Sequence, residues 1–183
     1  MAFTADNVIV QQETHLWVAP VGTEMPADIT ADLNVAFKDV GYLNPDGITL
    51  ETSSEKVDIE ALQSLAPIKS FVTKREAKLS LGAIEFTGQN FGLAFPGKLT
   101  GTGGKYTFTP DETVDVNRAF ILEVTEGKKK LRWLFPKAGQ TGDVSFQITK
   151  QDAIAIPLEL SVQNAGTGLF SFQTNMEVFK PSA

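Results

Sequence analysis

Strict two-residue alternation constrains this chain more than any other feature. Phe120, Leu122 and Val124 alternate with Ile121, Glu123 and Thr125, and after Glu126-Gly127-Lys128 the pattern resumes at Leu131, Trp133 and Phe135. Ile154, Ile156, Leu158, Leu160 and Val162 alternate with Ala155, Pro157, Glu159 and Ser161. A repeat of two puts successive side chains on opposite faces of a pleated strand, which a helix cannot use. Residues 118–135 therefore read as a hairpin and 154–162 as a strand with one face on a core. Pro157 has no N–H to donate to a ladder, so it belongs at a bulge or facing an open edge.

The same pattern recurs elsewhere. Val144, Phe146 and Ile148 predict a strand, as do Phe170, Phe172 and Met176 near the end. In the first half, residues 15–19 predict a strand stopped by Pro20. Another starts at Ile48 after the turn Asn44-Pro45-Asp46-Gly47. Leu79, Leu81 and Ala83 mark a third, and Tyr106 with Phe108 a fourth. Two short helices are expected to flank the strands. Thr30 would cap one in which Leu33 and Phe37 share a face before Gly41, and 88–95 would form the other, with Phe91 and Phe95 four apart. The fold expected is mainly β, an antiparallel β-sandwich or open barrel, in one domain of 183 residues.

Residues 52–70 break the pattern. They are too long for a hairpin turn and predict a long loop, yet they carry Val57, Ile59, Leu62, Leu65 and Ile68. A loop studded with apolar side chains is better explained by docking on a partner than by solvation.

The chemistry expected of the chain is sparse. It has no cysteine, which excludes disulfides, thiolate metal sites and cysteine nucleophiles, and its lone histidine, His15, excludes multi-histidine metal sites. His15 reads as a surface residue, since no nucleophile or orienting carboxylate lies near it in sequence. Gly101-Thr102-Gly103-Gly104-Lys105 lacks the spacing of a phosphate loop and precedes a strand, so it reads as a turn. Asp58 with Glu60, and Asp111 with Glu112, read as solvated acids, and the early aspartates lack calcium-loop spacing. Lys128-Lys129-Lys130 reads as a hairpin tip. A net charge of −6 argues against tight grip on phosphate backbones. No apolar run is long enough for a membrane span, and Met1-Ala2-Phe3-Thr4-Ala5-Asp6 has no signal-peptide character, so no membrane insertion is expected. No enzyme activity and no cofactor are expected.

The order of several phrases is more informative than any of them alone. Leu16-Trp17-Val18-Ala19-Pro20-Val21-Gly22-Thr23 is followed by Met25-Pro26-Ala27-Asp28, then by Ala36-Phe37-Lys38-Asp39-Val40-Gly41-Tyr42-Leu43 and Asp46-Gly47-Ile48-Thr49-Leu50. Ala61-Leu62-Gln63-Ser64-Leu65-Ala66-Pro67-Ile68 and Thr73-Lys74-Arg75-Glu76 come next, and a late strand with a proline follows Asp152-Ala153. From about residue 13 onward this order resembles the major tail tube proteins of long-tailed, non-contractile (siphovirus-type) phages.

The resemblance implies two packed antiparallel sheets with a flanking helix, and six subunits per ring, stacked into a tube. The product would be a structural virion protein of the tail, assembled in the host cytoplasm, forming a conduit through which double-stranded DNA passes without specific binding. Its partners would be its own copies and the tape measure, tail terminator and distal tail proteins. Residues 1–14 would form an N-terminal arm, 52–70 an inter-ring loop, and 178–183 a C-terminal tail. On this reading Val57, Ile59, Leu62, Leu65 and Ile68 stack rings, and Glu123, Gln147, Glu159, Gln173 and Glu177 are candidates to face the lumen. A related ring-forming joiner or secretion-type tube subunit is the nearest alternative. A small-ligand-binding β-barrel would instead need an enclosed apolar cavity.

Overall fold

The computed structural model describes residues 4–145, 147–150, 152–166 and 168–180. Phe146 and the outermost residues of the two expected arms lie outside them. The chain is mainly β, with 47% in strands, and has one short α-helix. In chain order the strands are β1 (Glu13–Pro20), β2 (Lys38–Asp39), β3 (Thr49–Ile59) and β4 (Lys69–Ala83), then helix α1 (Gly88–Ala94). After it come β5 (Gly97–Thr102), β6 (Lys105–Pro110), β7 (Arg118–Glu126), β8 (Lys129–Gln140), β9 (Ile156–Val162) and β10 (Ser171–Thr174).

Eight strands form one antiparallel sheet in the order β2-β1-β7-β8-β9-β4-β3, with β10 beside β8, and β5–β6 is a separate hairpin. The sheet folds over on itself at β8. Residues 131–134 of that strand pair with β10, while 138–140 pair with β9. Gly139 lies at this crease, where a Cβ would come within 2.7 Å of the Asn117 side chain. Folding over brings Leu16, Val18, Phe120, Leu122 and Phe135 onto Leu79, Leu81, Leu158 and Leu160 in one buried cluster. Leu93 and Ala94 of α1 belong to the same cluster. This is the sandwich the alternation predicts.

Strand β7 is buried on both faces. Its second face carries Ala119 and Ile121, which with Leu134 of β8 are covered by Met25, Leu33, Ala36 and Phe37. That covering segment is where a Thr30-capped helix was expected, and none forms. The Asp28 carboxylate instead accepts hydrogen bonds from Thr30 N (2.7 Å), Thr30 Oγ1 (2.6 Å) and Ala31 N (2.9 Å). Asn34 likewise accepts from Ala36 N. Side-chain acceptors take the backbone donors, and the chain turns rather than coils. Leu33 and Phe37 still reach an apolar face.

The second expected helix forms as α1. Thr87 caps it, accepting from Asn90 N at 3.1 Å. Buried Asn90 then donates to Val40 O (2.7 Å) and Glu85 O (2.9 Å), pinning the helix to the chain on either side.

The hairpin read from 118–135 is β7–β8. Its two-residue turn has Gly127 at φ +58°, a backbone that suits glycine in the first central position. Pro157 pairs with Gly82 of β4, and its N faces the opposite side. There Glu159 meets β8 through Thr141 N and the Gln140 side chain, and β8 has already ended at Pro157. The proline thus faces an open edge, as its chemistry requires. Residues 144–145 and 147–149 form no strand, and β9, which follows them, is already flanked by β4 and β8. Their alternation has no ladder to join, and Ile148 is exposed.

Candidate assembly interface

Residues 52–70 are not a structureless loop. Strand β3 runs through Ile59 and β4 begins at Lys69, so only 60–68 turn. The two strands pair from Thr49↔Ser80 out to Ile59↔Lys69, with one irregularity where Thr73 is the surplus residue beside Glu55/Lys56. The Thr73 hydroxyl donates to Glu55 O across the bulge. Because β9 pairs only with 77–83, the ribbon beyond Glu76 stands clear of the sandwich. Both of its faces are exposed from Glu51 to Arg75 except for half-buried Ala61.

The apolar positions expected to stack rings lie on this ribbon. Val57 and Ile59 are on β3 and about half exposed, and Ile68 is more so. Leu62 and Leu65, in the turn, are as exposed as in an extended peptide, at 104% and 111%. Phe71 pairs with Val57 on the same face of the ribbon and adds a large side chain absent from the expected set.

The lumen candidates do not gather on one surface. Glu159 is exposed on the outer face of β9. Register places it beside Ser80, next to Lys78 and Glu51 on that face of β9–β4–β3. The opposite face of these strands carries Leu79, Leu81, Leu158 and Leu160 into the core. Gln147 lies outside any strand and Glu177 in a 3₁₀ turn, Glu177–Phe179, both exposed.

Glu123 and Gln173 are elsewhere and are covered. Glu123 is 7% exposed and Arg132 4%, joined by two short bonds, Nε–Oε2 at 2.8 Å and Nη2–Oε2 at 2.6 Å. Arg132 also donates to Asp28 O and Ala31 O, and Gln173 donates to Pro26 O at 2.9 Å. A carboxylate and a guanidinium thus rivet the 25–37 segment to the sheet, and Glu123 has no open water in front of it. Bonds from the Thr30 hydroxyl, then the Thr30 and Ala31 amides, hold the Asp28 carboxyl below its ordinary range.

His15 receives the carboxylate its sequence neighbours lack. Its Nδ1 lies 2.8 Å from Asp39 Oδ2, and its ring stacks on Trp17 at 5.2 Å. Among the described residues no hydrogen bond reaches its other ring nitrogen, and no group of three His, Cys, Asp or Glu side chains gathers as a metal site. The surrounding cleft, about 1000 Å³, is lined by Gln12, Asp39, Tyr42 and Glu85 over Leu122 and Val124. A smaller aromatic groove of about 490 Å³ lies between α1 and the β5–β6 hairpin.

Two of the three lysines at 128–130 are tied to acids. Lys129 reaches Glu126 at 3.3 Å and Lys130 reaches Glu123 at 3.8 Å. On the ribbon, Lys74 bonds Glu76 at 2.7 Å, which raises the lysine and lowers the carboxyl.

A family model described as "Phage tail tube protein" matches residues 1–178. No curated protein matches the chain in sequence. Among solved structures, a chain titled "Virion of native gene transfer agent (GTA) particle" is similar at 11% identity and a TM-score of 0.39, over 79% of this chain and 92% of that one. So loose a likeness supports no comparison of individual strands.

Proposed function

Since this chain belongs to the phage tail tube protein family and is a structural protein of a virion, we propose that its copies close into hexameric rings that stack as the tail tube. The tube carries double-stranded DNA from the particle into the host. The observation behind this reading is the β3–β4 ribbon: two paired strands exposed on both faces, ending in fully exposed leucines. An isolated two-stranded ribbon is marginally stable in water, and long free edges invite pairing with another chain. A subunit that keeps such an arm is built to be covered by its neighbours.

In the stacked tube, Ile59, Leu62 and Leu65 pack against the next ring. Burial of three such side chains contributes on the order of 5 kcal/mol before the cost of ordering the turn. The polar outer face of β9–β4–β3, with Glu159, Ser80, Lys78 and Glu51, suits a wall against water, and its mixed charge offers few anchors for phosphate. Tape measure, tail terminator and distal tail proteins meet the tube at its ends and interior, and assembly takes place in the host cytoplasm.

The test is Leu62→Asp. The variant should remain a folded, soluble monomer by circular dichroism and form no tubes in negative-stain micrographs. Tubes of ordinary length from it would remove the ribbon tip from the assembly contact.

A further inference from the structure

The chain carries an apolar hollow and an apolar knob in different places. The hollow is the aromatic groove between α1 and the β5–β6 hairpin. By register Leu99, Tyr106 and Phe108 share one face of that hairpin, while Lys98, Thr100, Thr107 and Thr109 share the other. Phe91 of α1 meets Phe108 edge to face at 4.9 Å, and the two rings make the floor. Phe86, Leu99 and Tyr106, each more than half exposed, make the walls. Gly88 opens the helix, and a Cβ there would come within 2.6 Å of Leu99, so the glycine lets that wall close on α1. The groove is shaped before anything enters it, and its volume of about 490 Å³ admits two leucine side chains.

The knob is the turn 60–68. Ser64 N donates to Ala61 O at 3.0 Å, the Ser64 hydroxyl to Ala66 O at 2.7 Å and Ile68 N to Ile59 O at 2.8 Å, so the turn has its own closure. It holds Leu62 and Leu65 fully clear of their own chain. Charge matches the two features as well. Residues 57–68 carry Asp58 and Glu60 and no base, whereas 97–110 carry Lys98 and Lys105 and no acid. Lys98 is tied to Asp111, but Lys105 stands exposed near the hairpin tip, beside Tyr106. Two turns brought together would oppose acids to acids, and two hairpins cations to cations. A turn against a hairpin brings opposite charges together, which sets partner and register.

We propose that the aromatic groove receives the ribbon turn of a second copy, Leu62 and Leu65 entering between Phe86, Leu99 and Tyr106. This rests on the stacking reading above and assigns the surface that accepts the leucines, which that reading leaves open. Knob and hollow lie on different surfaces of one chain, so a copy that has filled its hollow still offers its knob. A contact of that kind need not close on itself and propagates into an open polymer, whereas a contact of one surface with itself stops at a pair. The same contact covers an apolar patch that a lone subunit leaves in water.

Two variants test the match. Leu99→Asp/Tyr106→Asp puts carboxylates in the groove, and Leu62→Asp/Leu65→Asp puts them on the turn; all four positions are exposed, and circular dichroism checks each fold. Neither variant should form tubes alone. In an equal mixture one keeps an intact turn and the other an intact groove, so paired rings should appear in sedimentation and negative-stain micrographs and grow no further. Tubes of ordinary length from the groove variant would give the groove to a different partner and leave the stacking reading standing. A mixture without paired rings would overturn the match of turn to groove. Absence of tubes from the unaltered chain would overturn the stacking reading itself. Cross-linking reads the contact with the groove intact, since the chain has no cysteine of its own. Gln63→Cys on the turn and Thr102→Cys on the hairpin, both at exposed positions, are assembled separately and in an equal mixture and treated with a short bismaleimide. Covalent dimers should come from the mixture alone. Dimers from Gln63→Cys alone would overturn the proposal in favour of turn meeting turn, and tubes without cross-links in the mixture would overturn the groove as acceptor.

Discussion

Strand β4 is one continuous strand with two different environments. Its inner part, residues 77–83, pairs with β9 throughout and with β3 as far as Ser80, with Ala77, Leu79, Leu81 and Ala83 in the core. Its outer part, 69–76, pairs on one side only and exposes Phe71 and Val72. The inner part is explained by the fold of a single chain. The outer part contributes almost nothing to that fold, so its length and its apolar side chains need a reason outside the chain. Extension of a strand beyond its own core is the physical mark of a subunit.

Three experiments bear on this contrast in solution. The largest change is expected where charge is buried. Replacing Arg132 by leucine strands the Glu123 carboxylate under the 25–37 segment and should cost about 3–5 kcal/mol in urea denaturation. Replacing Lys74 by alanine removes an exposed ion pair and should leave the monomer's transition where it was. Equal effects from the two would erase the distinction between core and ribbon.

Apolar truncation separates the halves of β4 nearly as well. Leu79→Ala should cost about 2–5 kcal/mol, as full burial dictates. Phe71→Ala should cost the monomer about 1 kcal/mol or less, and its deficit should appear instead as lost tube yield in sedimentation. A large loss of monomer stability from Phe71→Ala would mean that the ribbon is held by its own chain.

The smallest effect belongs to the other two-stranded ribbon, β5–β6. There Asp111 closes the hairpin base, 2.7 Å from Lys98. That bond, aided by the Thr113 hydroxyl and amide, lowers its carboxyl from 3.8 to about 2. A lowered folded value means that the tie stabilises above the unfolded value, near pH 4, and is lost as pH falls toward 2. Lys98→Ala should move the Asp111 titration upward in an NMR pH series. An unmoved titration would show that Thr113 alone sets it.

Much of the sandwich was legible because its strands have one wet face and one dry face. β1, β9 and the β7–β8 hairpin follow from alternation, and α1 from phenylalanines four apart before Pro96. The buried ion pair was within reach too. Glu123 and Arg132 stand three residues either side of the β-turn flanks Glu126 and Lys129, so a two-residue turn sets them opposite each other. The ribbon was not legible as strand, because Thr, Ser and Glu on both faces leave no hydrophobic period to find. The alternation around residues 144–145 and 147–149 misleads in the opposite sense, since these residues join no ladder: alternation describes a strand only when a neighbour supplies the hydrogen bonds. At 28–37 the apolar spacing was sound, but Asp28 and Asn34 claim the amides that a helix needs.

The surplus Thr73 has a consequence for which way the grease points. Strict alternation along β4 from Leu79 outward would put Phe71 on the same side as the buried leucines. The additional residue slips the phase by one, and Phe71 emerges opposite Val57, on the side of Glu55 and Lys74. One inserted threonine thus works like a half-twist in a belt, letting a single strand turn its oily side inward at the root and outward at the tip.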